Sequence, residues 1–75
     1  MANSESCFAE RLRMCRAKAN LTQAELAGLI DADEQSVRNW EKDLYMPSLR
    51  TTVRLADVLN VSLDQLTGRE PMVVA

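Results

Sequence analysis

Five polar side chains between positions 34 and 42 have the spacing and functional groups of a recognition surface. The spacing i, i+1, i+4, i+5 and i+8 puts on one outward helix face Glu34, Gln35, Arg38, Asn39 and Lys42. Together these groups donate and accept hydrogen bonds in a directional pattern. A polar helix face is also the ordinary solvated surface of a globular protein. The elements around this helix must therefore decide between the two interpretations.

The sequence lacks the combinations of side chains that form common catalytic and metal sites. It contains no histidine, which removes imidazole base catalysis and His-ligated metals. Cys7 and Cys15 are too far apart for a CxxC pair, and two thiolates alone cannot complete a zinc site. The sequence also has no nucleophile–base pair and no phosphate-binding glycine loop. We therefore expect no enzyme activity, no metal and no cofactor.

The cysteines and the apolar runs predict the cellular location of the protein. Cys15 falls on the apolar stripe of a predicted helix, and a buried free thiol is its simplest interpretation. Free thiols without a signal peptide predict a cytoplasmic location, and the short apolar runs predict no membrane span. A second interpretation of the two cysteines is a redox switch. A rise of about 12 Å separates them along one helix, so they cannot pair with each other there. Only an intermolecular disulfide through Cys7 would form such a switch.

Length and composition predict one small helical domain. The 75 residues suffice for one domain, and a hydrophobic content of 47% argues against disorder. Only two glycines and two prolines interrupt the chain, which favours helices. We expect one domain over residues 1–75 with an ordered core at about 6–69. Residues 1–5 and the tail after Glu70 are expected to be flexible.

Hydrophobic periodicity and capping signals predict five helices. Their approximate ranges are residues 7–19, 22–30, 33–42, 49–60 and 62–68. Capping boxes are expected at the second helix (Thr22 with Glu25) and at the fifth (Ser62 with Gln65). Asp33 is the expected cap of the third helix. The expected terminating residues, which tolerate left-handed geometry, are Asn20, Asn60 and Gly68.

The same periodicity predicts which side chains are buried. Inward positions on the five helices are Phe8, Leu12, Cys15, Ala19, Leu26, Ala27, Ile30, Val37, Trp40, Leu49, Thr52, Leu55, Ala56 and Leu59. Leu21 with Leu26, and Val61 with Leu66, have the spacing of hydrophobic staples. Arg11, Arg13 and Lys18 lie off the apolar stripe of the first helix, so we expect solvent around them.

The second and third predicted helices have the dimensions of a helix-turn-helix. Such a unit needs two short helices and a tight turn, so that one crosses the DNA backbone while the other enters the major groove. Residues 23–42 meet this requirement, with small Ala27 where the helices approach and residues 31–33 as the turn. Val37 and Trp40 are the inward residues that should pack the second of these helices against the core. We therefore predict a helix-turn-helix over residues 22–42.

Several motifs in order resemble the phage repressor and Cro-type (Xre-type) helix-turn-helix regulators. They are TQAELA at 22–27, VRNWEK at 37–42, PSL at 47–49, LAD at 55–57, NVSLD at 60–64 and LTGR at 66–69. The resemblance covers about residues 8–69. It implies an all-α fold, a compact five-helix bundle of the lambda-repressor-like DNA-binding domain type, with the helix-turn-helix at helices 2 and 3.

The resemblance also implies roles for individual residues. Base-edge positions are matched by Glu34, Gln35, Arg38 and Asn39. Glutamine or asparagine suits adenine, arginine suits guanine, and glutamate can accept from cytosine N4. Gln23 matches a residue whose side chain and helix N-terminus hold a DNA phosphate. The alternative interpretation is that Gln23 is an ordinary residue of the first helical turn. The predicted DNA-binding set is completed by Ser36, Lys42 and Tyr45. Tyr45 stands where the family often has a cation, and we expect its hydroxyl to contact a phosphate. Arg16 and Glu41 match a salt bridge that ties the first helix to the recognition helix.

The charge distribution is unusual for a DNA-binding domain. The net charge is −2, and residues 22–43 hold two basic and six acidic side chains. In place of the family's usual glycines stand Asp31 and Asp43, and residues 44–46 (LYM) replace its usual cations. We therefore expect weak binding by one subunit, and a homodimer on a palindromic operator of double-stranded DNA. The fifth helix and the tail at 72–75 are the candidate dimer surfaces.

One alternative function uses the same fold. The acidic helix-turn-helix and the apolar segment 44–46 would also suit a protein-interaction module, an adaptor or antirepressor with little affinity for DNA. No small-molecule ligand is evident for either function.

Overall fold

The computed structural model describes residues 7–68, which contain five α-helices and no β-strand. The helices are α1 (Cys7–Lys18), α2 (Gln23–Leu29), α3 (Glu34–Glu41), α4 (Leu49–Leu59) and α5 (Leu63–Thr67). The predicted all-α class is confirmed. The segments expected to be flexible, and the tail at 72–75, lie outside the described residues. Within residues 7–68 no helix has the length and apolarity that crossing a membrane requires.

Side chains close the N-termini of α2, α4 and α5, and at α4 the Ser48 hydroxyl accepts from the Thr51 amide. Thr22 Oγ1 accepts from the Glu25 amide at 3.0 Å, and Glu25 Oε1 accepts from the Thr22 amide at 2.8 Å. Ser62 and Gln65 repeat this capping box at α5, so both predicted boxes are confirmed. The predicted cap by Asp33 is wrong in its chemistry. Asp33 occupies the N-cap position of α3, but its exposed carboxylate makes no capping hydrogen bond.

Four helices end with the same left-handed turn. The residues with positive φ, between 59° and 62°, are Asn20, Asp31, Asp43 and Asn60. At each of them two backbone amides bond carbonyls three and five residues back, as in Asp43 to Trp40 and Leu44 to Asn39. Asn and Asp adopt this geometry more readily than most residues, but less readily than glycine. The α5 helix ends at Gly68 with φ 86°, so the predicted terminators are confirmed.

One hydrophobic core joins the five helices. The α2 helix packs on α3, α1 packs on α3 and α5, and α4 packs on α5. Most predicted inward positions are buried, including Val37 and Trp40. Two of those predictions are wrong. Ala19 is exposed because α1 has already ended there, and Leu49 is 76% exposed because nothing among the described residues covers the first turn of α4.

The predicted free thiol of Cys15 is confirmed as a buried one. Its side chain is almost fully enclosed, and burial raises the pKa of the thiol above its usual value. A neutral, enclosed thiol is a poor nucleophile. A shallow depression of about 250 Å³ lies beside it, between the end of α1 and the α4–α5 turn.

Three arginines bond the C-terminal ends of neighbouring helices. Arg13 Nη1 donates to the Glu41 carbonyl at 2.6 Å, and Arg11 Nη1 donates to the Gln65 carbonyl at 2.7 Å. Arg54 Nη1 donates to the Ile30 carbonyl at 3.3 Å. The last carbonyls of a helix lack intrahelical donors and carry partial negative charge, so a guanidinium is a favourable partner. The prediction that Arg11 and Arg13 are merely solvated is therefore wrong.

An ion pair fixes the C-terminal end of α3 to α1. Arg16 Nε and Nη2 donate to the Glu41 carboxylate at 2.6 and 3.0 Å, and Arg16 Nη1 donates to the Leu21 carbonyl at 2.9 Å. The Glu41 side chain is only 3% exposed. The hydrogen bond to Glu41 raises the pKa of Arg16 above its usual value, with the Glu41 charge acting in the same direction. This is the pair that the family resemblance implies.

Replacing Asp31 by glycine should stabilise the fold. Asp31→Gly removes the steric cost of φ 60° at an exposed position and should raise the free energy of unfolding by about 0.5 to 1 kcal/mol. Urea unfolding followed by circular dichroism measures the change. The matched control is Asp57→Gly in α4, where glycine should destabilise. Equal effects of the two changes would show that Asp31 is not strained.

Loss of the Glu41 charge should be costly. Glu41→Gln leaves Arg16 without its anion in a largely buried site and should lower the free energy of unfolding by about 3 kcal/mol. Glu34→Gln, the same change in an exposed pair, should cost less than about 1 kcal/mol. Urea titrations at low temperature compare the two variants. Similar losses would contradict the structural role given to Glu41.

Candidate nucleic-acid interface

Two short helices and a tight turn hold the candidate interface. The α2 helix ends at Leu29, residues 30–33 form the turn, and α3 begins at Glu34. Leu26 and Ala27 of α2 and Val37 and Trp40 of α3 belong to the same buried cluster. This packing fixes the inner side of α3 and leaves its opposite side facing solvent.

A continuous set of hydrogen bonds runs along the outward side of α3. Arg38 donates from Nη2 to Glu34 Oε2 at 2.8 Å and from Nη1 to Gln35 Oε1 at 3.3 Å. Gln35 Nε2 donates to Asn39 Oδ1 at 3.1 Å, and Asn39 Nδ2 donates to the Tyr45 hydroxyl at 2.9 Å. We name these five residues the polar network. They include all four of the residues that the sequence places at base-edge positions.

The polar network is ordered by its own contacts yet accessible. The side chains of Arg38 and Glu34 are 40% and 45% exposed, and Tyr45 is 53% exposed. The backbone fixes the position of Tyr45 too, because the Leu44 amide bonds the Asn39 carbonyl at 3.0 Å. Side chains already held in one arrangement lose less conformational entropy when they bind a partner.

Gln23 lies apart from the polar network. Its Nε2 donates to Glu41 Oε1 at 3.0 Å, so the half-buried amide joins the Arg16–Glu41 pair. This bond connects the first residue of α2 with the last residue of α3. One N–H and the carbonyl oxygen of the Gln23 amide make no hydrogen bond to the described residues.

Two further predicted site residues make no side-chain hydrogen bond within residues 7–68. Ser36 is half-buried on α3, and Lys42 is exposed at its C-cap. The structure therefore does not bring them into the polar network. The Lys42 ammonium forms no ion pair with a described acidic group, which leaves it open to an external anion.

The acidic balance of residues 22–43 is distributed unevenly over the surface. Glu41 is buried against Arg16, and Glu34 pairs with Arg38, so two of the six carboxylates are neutralised locally. The exposed carboxylate of Asp33 stands immediately before α3, and the exposed Lys42 and Asp43 follow its last residue. The outward side of α3 is therefore close to neutral and its N-terminal end carries negative charge, whereas Lys42 offsets Asp43 at its C-terminal end.

Two contacts of α3 were missed from the sequence. Arg13 bonds the carbonyl of Glu41, and its position one turn before Arg16 on α1 was a usable signal. Tyr45 was expected to offer its hydroxyl to a phosphate, but in the structure it accepts from Asn39. No local sequence pattern predicts the contact between Asn39 and Tyr45, because it depends on the left-handed turn at Asp43.

Comparison with known proteins identifies the fold family. Residues 12–66, most of the described chain, match the helix-turn-helix family HTH_3. The HTH-type transcriptional regulator ImmR of Bacillus subtilis (strain 168) is 34% identical over 61 residues, covering 81% of this chain and 48% of ImmR. The cryptic phage CTXphi transcriptional repressor RstR of Vibrio cholerae is 37% identical over 60 residues, covering 80% of this chain and 54% of RstR.

A solved structure has the same fold within a longer chain. The crystal structure of cobalt(II) HppE in complex with Tris buffer superposes with a TM-score of 0.75 at 29% sequence identity. The match covers 87% of this chain and 37% of that one. An HTH-type transcriptional regulator of Archaeoglobus fulgidus is nearer in length, with 38% identity over 75% of this chain and 80% of the relative.

The curated relatives are transcriptional regulators rather than enzymes. This chain spans about half the length of ImmR and RstR. Its helix order, its motifs and its match over residues 12–66 agree with one another. The chain therefore belongs to the Xre-type helix-turn-helix family of transcriptional regulators.

Proposed function

We propose that this chain is the DNA-binding domain of a sequence-specific transcriptional regulator, with α3 lying in the major groove. One observation carries the proposal. The outward side of α3 bears an accessible, ordered set of side chains whose groups match base edges, while its inner side is fixed by the core and by Glu41. The match to transcriptional regulators over most of the chain supports it.

The side chains divide into two roles. Gln35, Arg38 and Asn39 face base edges from the middle of α3. Contacts to the DNA backbone come from Gln23, Ser36, Lys42 and Tyr45. Gln23 has a free N–H, Lys42 has an unpaired ammonium among the described residues, and the Tyr45 hydroxyl still has its proton to donate. Phosphate contacts set register and affinity, and base contacts set specificity.

Binding as a homodimer on a palindromic operator completes this proposal. One copy has Asp33 and Asp43 on either side of α3, and within residues 22–43 Lys42 is the only cation outside an ion pair, so the affinity of one copy for one half-site is low. Two copies on adjacent half-sites multiply that affinity. Exposed apolar side chains available for a dimer contact are Leu44, Met46, Leu49 and Val53, together with Leu63 on the predicted surface of α5.

A protein-interaction module is the second candidate function. The observation that favours it is the exposed apolar side chains of Leu44, Met46 and Leu49, which follow the C-terminal end of α3. An adaptor or antirepressor would use this surface on another regulator and would not bind DNA. A mobility-shift assay with random-sequence DNA at low salt separates the two functions, because complete absence of binding supports the adaptor.

Arg38 and Gln23 should affect DNA binding in different ways. Duplexes selected from a random pool provide the operator. Arg38→Ala should lower the preference for its best base at one position by about tenfold or more. Gln23→Ala should weaken binding to all sequences alike. Lys18→Ala removes one exposed charge from α1 as a control. Unchanged binding by both interface variants would mean that the assigned face is wrong.

The selected operator should contain two half-sites related by twofold symmetry. Their centres should lie about 34 Å apart, one turn of DNA. A duplex carrying one half-site should bind at least about tenfold more weakly than the full site. Fluorescence anisotropy with both duplexes measures the ratio. Equal affinity for the half-site and the full site would contradict binding as a dimer.

A further inference from the structure

We propose that the polar network makes α3 a guanine reader, in which Glu34 is the positioning residue of Arg38 rather than a base contact. This inference rests on the proposed function and specifies the base class that the same site recognises. It differs from the expectation drawn from the sequence, in which Glu34 accepts from cytosine and the amides pair with adenine.

The acceptor groups of the polar network each accept a hydrogen bond from a neighbouring side chain. Gln35 Oε1 accepts from Arg38, and Asn39 Oδ1 accepts from Gln35. The Glu34 carboxylate accepts from Arg38. Each side-chain carbonyl or carboxylate of the polar network therefore accepts one hydrogen bond in the free protein and keeps lone pairs for a further donor.

Several donor groups of the polar network are not used within it. A guanidinium has five N–H groups, and Arg38 uses two of them within the network. Gln35 and Asn39 each use one of their two amide N–H groups. The Tyr45 hydroxyl accepts from Asn39, so its own proton is free to be donated. Arg38 therefore keeps three N–H groups for a ligand, more than any other side chain of the polar network.

Donors select acceptor-rich base edges. Guanine presents two acceptors, N7 and O6, in the major groove, whereas cytosine presents the N4 donor there. Adenine presents a donor beside its N7, so a guanidinium, which has no acceptor, can pair with both acceptors of guanine but not with both groups of adenine. Guanine therefore fits the network as it stands, with Arg38 as the residue that contacts it.

Glu34 sets the direction of the Arg38 side chain. It lies one turn towards the N-terminus of α3 and holds Arg38 Nη2 at 2.8 Å. The N-terminal part of a recognition helix is the part that meets base edges. The pair is exposed in the free protein, so it contributes little to stability. Its attraction strengthens when bound DNA excludes water, and its effect should therefore appear in base preference.

The test measures base preference at the position that Arg38 contacts. That position is the one whose preference Arg38→Ala abolishes in the selected operator. Four duplexes differing only in this base pair are titrated against the native chain and against Glu34→Ala, Glu34→Gln and Asp33→Ala. The last variant is the matched control, because Asp33 carries the same charge one residue away and makes no ion pair with Arg38.

The expected result separates charge from positioning. The native chain should prefer guanine by about tenfold or more. Glu34→Ala should lose most of that preference, and Glu34→Gln should keep part of it, because the amide oxygen still accepts from Arg38. Asp33→Ala should raise affinity for all four duplexes equally, because it removes a negative charge near phosphate.

Three results would overturn the proposal. If Glu34→Ala instead abolishes a cytosine preference at another position, Glu34 reads cytosine directly. If Glu34→Ala and Asp33→Ala behave alike, with guanine preference intact, the pair has no positioning role. If the native chain binds none of the selected duplexes, the proposed function itself fails, and this is visible before any variant is compared.

Discussion

The buried carboxylate of Glu41 is the point at which three helices are joined. It accepts hydrogen bonds from Arg16 of α1 and Gln23 of α2, while the Glu41 carbonyl accepts from Arg13. A buried charge is costly unless it is paired and fully hydrogen-bonded. The arrangement is therefore stable only when α1, α2 and the end of α3 are all in place. The direction of α3, and with it the position of every side chain on its outward side, depends on this residue.

A fixed inner side allows the outward side of α3 to be specialised for hydrogen bonding. The core holds Val37 and Trp40, and no residue of the polar network belongs to it. Those side chains are ordered by one another, which lowers the entropy lost on binding. Asp33 and Asp43, on either side of α3, limit the affinity for phosphate. The result is a domain whose selectivity rests on hydrogen-bond geometry more than on net charge.

Local chemistry made much of the fold predictable, and tertiary contacts account for what was missed. Residues close together in the sequence determine the capping boxes at Thr22 and Ser62, the turn at Asn60 and the periodic core. Sequence patterns were therefore enough to predict these features. Leu49 has helical core spacing but lies beyond the edge of its neighbours, and periodicity carries no information on that edge. Arg13 was missed because its partner is a backbone carbonyl of another helix. The outward residues of α3 were found by spacing and resemblance, whereas their mutual bonds required coordinates.

The most direct test of this account is an NMR titration of the labelled protein with the selected operator duplex. If α3 meets DNA, the largest shifts should fall on the side-chain signals of Gln35, Arg38, Asn39 and Tyr45. The indole signal of Trp40 should change little, because the core holds the inner side of α3. Large shifts confined to α4 and α5, with the outward side of α3 unchanged, would contradict the claim that α3 is the surface that meets DNA.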